Sequence, residues 1–245
     1  MHDLKGKTVF ITGGARRLGR AMCVAAAKAG ANVAFTYLTS VDDANQTVRL
    51  IERAGAKLFA IKCDLRSEKM VARAAERVTE HFGSIDVLIN NAGVFKTAAL
   101  TDITLEQWDN VFAANVRGPF LMSQRCIPAL RQSRGRIIHM GSLGGEKPWA
   151  THAHYCSSKA ALHMLTKVMA KALAPEITVN CVAPGMIQTG EAASDASLPA
   201  RLAQRTPMKR NGTAEDVVSA VMYFATAPHF ITGQILTVDG GLGLG

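Results

Sequence analysis

Seven short runs rich in β-branched and aromatic residues recur along the chain: Lys7–Thr12 (KTVFIT), Asn32–Tyr37, Leu58–Lys62, Asp86–Asn90 (DVLIN), Arg136–Gly141 (RIIHMG), Ile177–Val182 (ITVNCV) and Gln234–Val238. Each is too short for a helix and apolar on both alternations, as a strand buried on both faces must be. Longer stretches with apolar positions three and four apart lie between them, predicting helices over Leu18–Ala29, Val41–Ala54, Ser67–Phe82, Thr104 to about Gln132, Tyr155–Leu173 and Thr213–Thr226. Gly30, Gly55 and Gly83 close three of these, while Thr104 with Gln107 and Thr213 with Asp216 stand at capping-box spacing. Gly118 and Pro119 predict a kink in the longest helix. Residues 186–208 have weak periodicity and two prolines, Pro199 and Pro207, and are expected to form a mobile lid.

Strands alternating with helices predict an α/β fold, a doubly wound parallel sheet with right-handed crossovers and helices on both faces, in a single domain over residues 1–245. Ligands of such sheets bind outside the carboxyl ends of the strands. Gly13, Asp64, Asn91, Ser142 and Pro184 all fall at those ends.

Length and composition narrow the field. A chain of 245 residues that is 48% hydrophobic can bury one large core. No apolar run reaches about 18 residues, so no membrane span is expected. The polar start Met1–Lys7 gives no secretory signal, and a cytoplasmic protein is expected. Five cysteines (Cys23, Cys63, Cys126, Cys156, Cys181) are scattered without C-x-x-C spacing, which reads as reduced thiols, with no metal site. His152 and His154 are expected to flank a loop beside Tyr155. The net charge of +9 raises nucleic acid as a partner, but the basic residues form short groups (Arg16, Arg17, Arg20; Arg131, Arg134, Arg136; Lys209, Arg210) rather than a stripe. No nucleic-acid partner is therefore expected, and a phosphorylated cofactor is the more economical target.

The glycines after the first strand, Gly13, Gly14 and Gly19, lead directly into a helix. This strand, glycine turn and helix can seat a pyrophosphate on unpaired amides at a positive dipole end. Arg16 and Arg17 add charge there. The second strand ends without an acid: Tyr37, Leu38, Thr39 and Ser40 stand where NAD-binding chains carry one, which favours NADP(H) over NAD(H). Asn91, Ala92 and Gly93 let a ribose or flat ring lie against backbone. Tyr155 and Lys159 are one helical turn apart and share a face, so the ammonium is expected to lower the phenol's pKa. Such a pair also arises by chance in most proteins, and only its company gives it weight. Ser142 ends a strand where a hydroxyl could bond the same substrate oxygen, and Asn115 is the odd polar residue on an apolar helix face.

These residues resemble the classical short-chain dehydrogenases/reductases over essentially the whole chain: TGGARRLG at 12–19, Asp64, NNAG at 90–93, Asn115, Ser142, YCSSK at 155–159 and the Pro184–Gly185 pair. The resemblance implies strand order 3-2-1-4-5-6-7 and a homotetramer built from the long helices and the C-terminal end. It implies Tyr155 as general acid/base, Lys159 as its tuner and ribose ligand, Ser142 as the group positioning the substrate oxygen, and Asn115 as holder of a water. It places the cofactor along Gly13, Arg16, Arg17, Leu18, Gly19, Tyr37, Thr39, Ser40, Asp64, Leu65, Asn91, Ala92, Gly93, Tyr155, Lys159, Pro184, Gly185, Ile187 and Thr189. The substrate pocket would be Phe95, Ser142, Trp149, Tyr155 and Gly185. Arg17 takes the family's middle turn glycine, as in pteridine reductases, and Phe95 lies where those enzymes stack an aromatic; they carry Asp at the position of Ser142. The remainder is similar to 3-oxoacyl-acyl carrier protein reductases, although Ala174–Pro175–Glu176 lacks one of their carrier-docking arginines. The function expected is an NADPH-dependent reductase of a small-molecule carbonyl, with pterin reduction as the alternative. A non-catalytic dinucleotide sensor is the reading from another class.

Overall fold

The computed structural model describes residues 4–188 and 197–244. All seven predicted strands form, as β1 (Thr8–Ile11), β2 (Asn32–Tyr37), β3 (Leu58–Lys62), β4 (Val87–Asn90), β5 (Arg136–Met140), β6 (Thr178–Pro184) and β7 (Ile235–Val238). They pair in parallel in one sheet of order β3-β2-β1-β4-β5-β6-β7. Around it stand α1 (Arg17–Lys28), α2 (Val41–Arg53), α3 (Glu68–Phe82), α4 (Leu105–Phe112), α5 (Gly118–Ser133), α6 (Ala153–Leu173), α7 (Leu198–Arg205) and α8 (Ala214–Thr226).

The two-residue period of the strands divides the core in two. Val9, Ile11, Val33, Phe35, Val87 and Ile89 point to the face covered by α1, α2 and α8. Their neighbours Phe10, Ala34, Leu88 and Ile137 point to the face covered by α3, α5 and the C-terminal half of α6. Asp86 ties the sheet together at its lower edge: its carboxylate accepts the Thr8 amide at 2.9 Å, Lys7 Nζ at 2.9 Å and Ser84 Oγ at 3.1 Å.

The kink predicted near Gly118 and Pro119 takes the form of a π-helical turn over Ala113–Arg117, immediately before Gly118. Pro119 follows directly, in the first turn of α5, which continues from the π turn. Within the expected lid, Ile187 bridges Gly212, and α7 occupies Leu198–Arg205. Two turns are too few to show a clear period in sequence. Thr189 and the rest of 189–196 lie outside the described residues. His154 does not flank a loop but is buried in the first turn of α6. All five cysteines are free, no helix of the described residues is long and apolar enough to cross a membrane, and no group of three metal-ligating side chains occurs among them.

Both predicted capping boxes form. In α8, Thr213 Oγ1 accepts the Asp216 amide at 3.3 Å and Asp216 Oδ2 accepts the Thr213 amide at 2.8 Å. Thr213→Ala is expected to cost about 1 kcal/mol and to lower Tm by roughly 2–4 °C, with Thr213→Ser close to wild type, as measured by thermal unfolding.

Candidate active site

The turn from β1 to α1 is built by hydrogen bonds that leave no room for side chains. Thr12 Oγ1 accepts the amides of Asn91 and Ala92, each at 3.0 Å, and Asn91 Nδ2 donates to the carbonyls of Thr12 at 2.9 Å and Gly13 at 3.0 Å. Gly13 has φ +68°, and a Cβ there would come within 2.9 Å of Ala92 Cβ. A Cβ on Gly19 would run into the Gly13 carbonyl. Close backbone approach and the positive dipole end of the α1 N-terminus make a cradle that fits a dinucleotide pyrophosphate. Arg17 keeps a left-handed backbone, φ 52°, which explains why the resembling family has glycine there. An arginine in that conformation carries about 1–2 kcal/mol of strain.

Arg16, Arg17 and Thr39 are exposed, Tyr37 and Leu18 half-buried, and Ser40 is the N-cap of α2. Asp64 is engaged by its neighbour Arg66, whose guanidinium donates to both carboxylate oxygens, with Nη2–Oδ2 at 2.7 Å. That contact holds the Asp64 carboxyl below the usual carboxylate range. Leu65 is buried against the start of α5, where a Cβ on Gly118 would lie 2.9 Å from Leu65 Cβ. Pro184 ends β6, and Gly185 packs on Asp239 so closely that a Cβ would come within 2.6 Å of Asp239 Cβ.

The catalytic candidates converge at the carboxyl ends of β4 and β5. Lys159 is buried, and its Nζ donates to the Met140 carbonyl at 2.7 Å. Burial brings its pKa from the ordinary 10.5 down to about 8. Ser142 is also buried, accepts the Gly144 amide at 3.1 Å and acts to lower the pKa of Tyr155.

The sign of the Tyr155 shift differs from the expectation. Burial pushes the phenol up to about 12, and the Ser142 hydroxyl offsets only part of it. The Lys159 ammonium lies 5.8 Å from the Tyr155 ring centre and is turned to a main-chain carbonyl, so desolvation of the phenolate outweighs its attraction.

Asn115 sits in the π-helical turn, the kind of irregularity that re-aims a helix side chain at functional sites. Its Oδ1 accepts the Val94 amide at 2.8 Å, and its Nδ2 donates to the Val94 carbonyl and to Ser158 Oγ, each at 3.0 Å. Ser158 Oγ in turn donates to the Tyr155 carbonyl at 2.7 Å. A Cβ on Gly93 would lie 2.9 Å from Asn115 Oδ1 and 3.8 Å from Lys159 Nζ, so the NNAG segment, the π turn and α6 meet at one point. Sequence reasoning passed over Ser158 and Thr12; the one signal for Ser158 was its place three residues after Tyr155, within reach of that residue's carbonyl.

On the substrate side Phe95 is exposed and Trp149 half-buried, and both rings lie against Tyr155, with centroids at 4.8 Å and 6.1 Å.

The fold and the comparisons below define an oxidoreductase acting on CH–OH or C=O groups. The family model described as enoyl-(acyl carrier protein) reductase matches residues 13–243, and the chain belongs to the short-chain dehydrogenase/reductase family. The 3-oxoacyl-[acyl-carrier-protein] reductase FabG of Staphylococcus epidermidis is 36% identical over 241 residues, covering 96% of this chain and 98% of its own. A short-chain dehydrogenase/reductase of Serratia marcescens superposes with TM-score 0.93 at 39% identity, over 99% of this chain and 100% of that one. A blue fluorescent protein from a metagenomic library, solved in complex with NADPH, superposes with TM-score 0.92 at 34% identity, over 98% and 99%.

The Lys159 environment predicts a pH-dependent stability difference. Because the folded pKa is about 8 and the ordinary value 10.5, the folded state binds fewer protons than the unfolded chain between those limits. Wild type therefore gains stability relative to Lys159→Met as pH rises through that window. Below it Lys159→Met is expected to be the more stable by on the order of 2 kcal/mol, after deducting the lost bond to Met140; urea unfolding of both proteins across the window measures this.

Proposed function

We propose that the protein is an NADPH-dependent carbonyl reductase. The observation that carries this reading is that Ser142, Tyr155 and the buried Lys159, whose Nζ donates to the Met140 carbonyl, share one rim, with the phenol pushed up by burial to about 12 and so protonated at neutral pH. A protonated phenol is poised to give its proton to the oxygen of a ketone as that oxygen gains charge, which is the direction of reduction. NADP(H), when bound, supplies the hydride. Ser142 holds the carbonyl oxygen, and Lys159 keeps a positive charge behind the site and a hydrogen-bond donor for the ribose. Asn115 fixes the Val94 segment against α6, which holds Gly93 beside Lys159.

The cofactor preference rests on the absence of an acid at Tyr37, Thr39 and Ser40, on the basic pair Arg16 and Arg17, and on the structural relative solved with NADPH. Pterin reduction is the weaker reading, since Ser142 stands where pteridine reductases carry an acid. A dinucleotide sensor would have no use for the Ser142–Tyr155 pair. We further read the protein as a cytoplasmic homotetramer: Phe120 on α5 and Met164 and Val168 on α6 are exposed, as are Leu236 and Leu244 near the C-terminal end.

Tyr155→Phe is expected to lower turnover of ketones at least a hundredfold, on the order of a lost general acid, while NADPH binding measured by fluorescence titration changes little. Unchanged turnover across a ketone panel would reject the reading.

A further inference from the structure

Four rings close on one another beside the Ser142–Tyr155 pair. Phe95 meets Tyr155 at 4.8 Å between centroids and 84° between planes, and stacks on His152 at 4.7 Å and 30°. Trp149 meets His152 at 5.6 Å and 84°, and runs nearly parallel to Tyr155 at 6.1 Å and 13°. The set is two parallel pairs crossed at right angles, and Trp149 and His152 are held from outside. A Cβ on Gly144 would lie 3.0 Å from Trp149 Cζ3, so the indole rests on the backbone that follows Ser142. His152 is bonded at both ring nitrogens, to Thr97 Oγ1 and Thr151 Oγ1, each at 3.0 Å. The Ala98 amide donates to the Thr151 carbonyl at 3.0 Å, joining the two loops that carry the rings. Phe95 nonetheless remains 56% exposed. A large apolar face thus stands open, and already ordered, next to the phenol.

Resting on the reductase reading above, we propose that this site is built for ketones bearing a flat apolar ring next to the carbonyl, in preference to straight-chain ketones and acyl thioesters. A rigid ring meeting a rigid aromatic wall gains offset-stacked or edge contacts and surrenders few rotors, whereas a flexible acyl chain must be ordered as it binds. The rings offer apolar surface, and the two threonine hydroxyls at their rim are already engaged by His152, which leaves the polar edge of a pterin poorly served.

The test compares NADPH-dependent kcat/KM for phenyl methyl ketone, a straight-chain methyl ketone of the same carbon number and a 3-oxoacyl thioester, in wild type and in Phe95→Ala and Trp149→Ala. Wild type is expected to favour the aryl ketone by about tenfold or more, the scale of one good aromatic contact, and the alanine variants to bring that ratio toward one. Equal or better use of the straight-chain substrates, or an unchanged ratio in both variants, would overturn the substrate class while leaving the reductase reading intact. Reduction of none of the substrates by wild type would overturn both.

A separate observation concerns His163, one turn beyond Lys159 on α6. Its imidazole is buried between two glycines that flank the Ser142 turn: a Cβ on Gly145 would come within 2.7 Å of the ring, and one on Gly141 would run into Nε2. Nε2 accepts the Ser142 amide at 3.4 Å, so the proton of the neutral ring is on Nδ1, which faces Glu146 Oε1 at 3.9 Å. We infer that His163 is a positioning residue that sets the backbone of Ser142 and, through it, the hydroxyl that holds the substrate. Burial, aided by Lys159 and Lys167, brings the ring down to about 4, so it stays neutral at physiological pH.

Nitrogen-15 NMR of the wild-type ring is expected to show the Nδ1–H tautomer at neutral pH. His163→Leu, which fills the space without an acceptor, is expected to lower kcat about tenfold, the scale of one hydrogen bond, with the loss in kcat rather than in KM. His163→Gln, which restores an acceptor, is expected to recover most of it. An Nε2–H tautomer, or equal kcat in the leucine and glutamine variants, would overturn the assignment.

Discussion

Burying an ammonium costs several kcal/mol unless its protons find partners, and at Lys159 the partner is a main-chain carbonyl at the end of β5. Much of the site's arrangement follows from keeping that charge in place. Met140 ends a central strand paired to β6, so the carbonyl that anchors Nζ has little freedom to move. The ammonium is therefore fixed by the sheet on one side and by its own helix on the other. It cannot swing to Tyr155 without giving up its bond, which is why the phenol's environment is governed by burial and by Ser142.

The same economy explains the glycines. Gly93 leaves the space that Asn115 Oδ1 and Lys159 Nζ approach, and Gly19 leaves the space occupied by the Gly13 carbonyl. In each case a backbone has been brought where a side chain would ordinarily stand, so that amides and carbonyls, whose positions are set by the sheet, do the holding. Arg17 is the exception that shows the constraint: the backbone keeps a conformation suited to glycine, and the strain is accepted for a guanidinium at the mouth of the cradle.

What the sequence disclosed follows the same division. β2 and β3 were legible to the residue, because Asn32–Tyr37 and Leu58–Lys62 are apolar runs bounded by breaks in pattern, and the strand order follows from the family resemblance. The convergence of Asn91, Asn115, Ser142, Tyr155 and Lys159 on one rim was legible for the same reason, since each stands at a strand end or on a helix face. The π-helical turn was not, because Ala113–Arg117 has the composition of an ordinary helix and its extra residue is stabilised by the tertiary bonds of Asn115 to Val94 and Ser158. The shift of Tyr155 was misread because a helix places Lys159 on the correct face but leaves open which atom the ammonium bonds. That atom is a carbonyl, and carbonyls carry no sequence signature.

Two kinds of rigidity then meet at Ser142. On its inner side the backbone is bounded by the sheet and by an imidazole seated between Gly141 and Gly145; on its outer side Trp149 lies on Gly144. A five-residue span is thus gripped from both faces, with the Ser142 hydroxyl projecting between them. Oxygen positioning and ring recognition are in this way carried by one short turn. A change in the aromatic wall must be transmitted to the hydroxyl through Gly144, whose amide donates to Ser142 Oγ at 3.1 Å. Substrate shape and catalytic geometry are mechanically linked here, because the residue that seats the indole is also the residue that orients the serine.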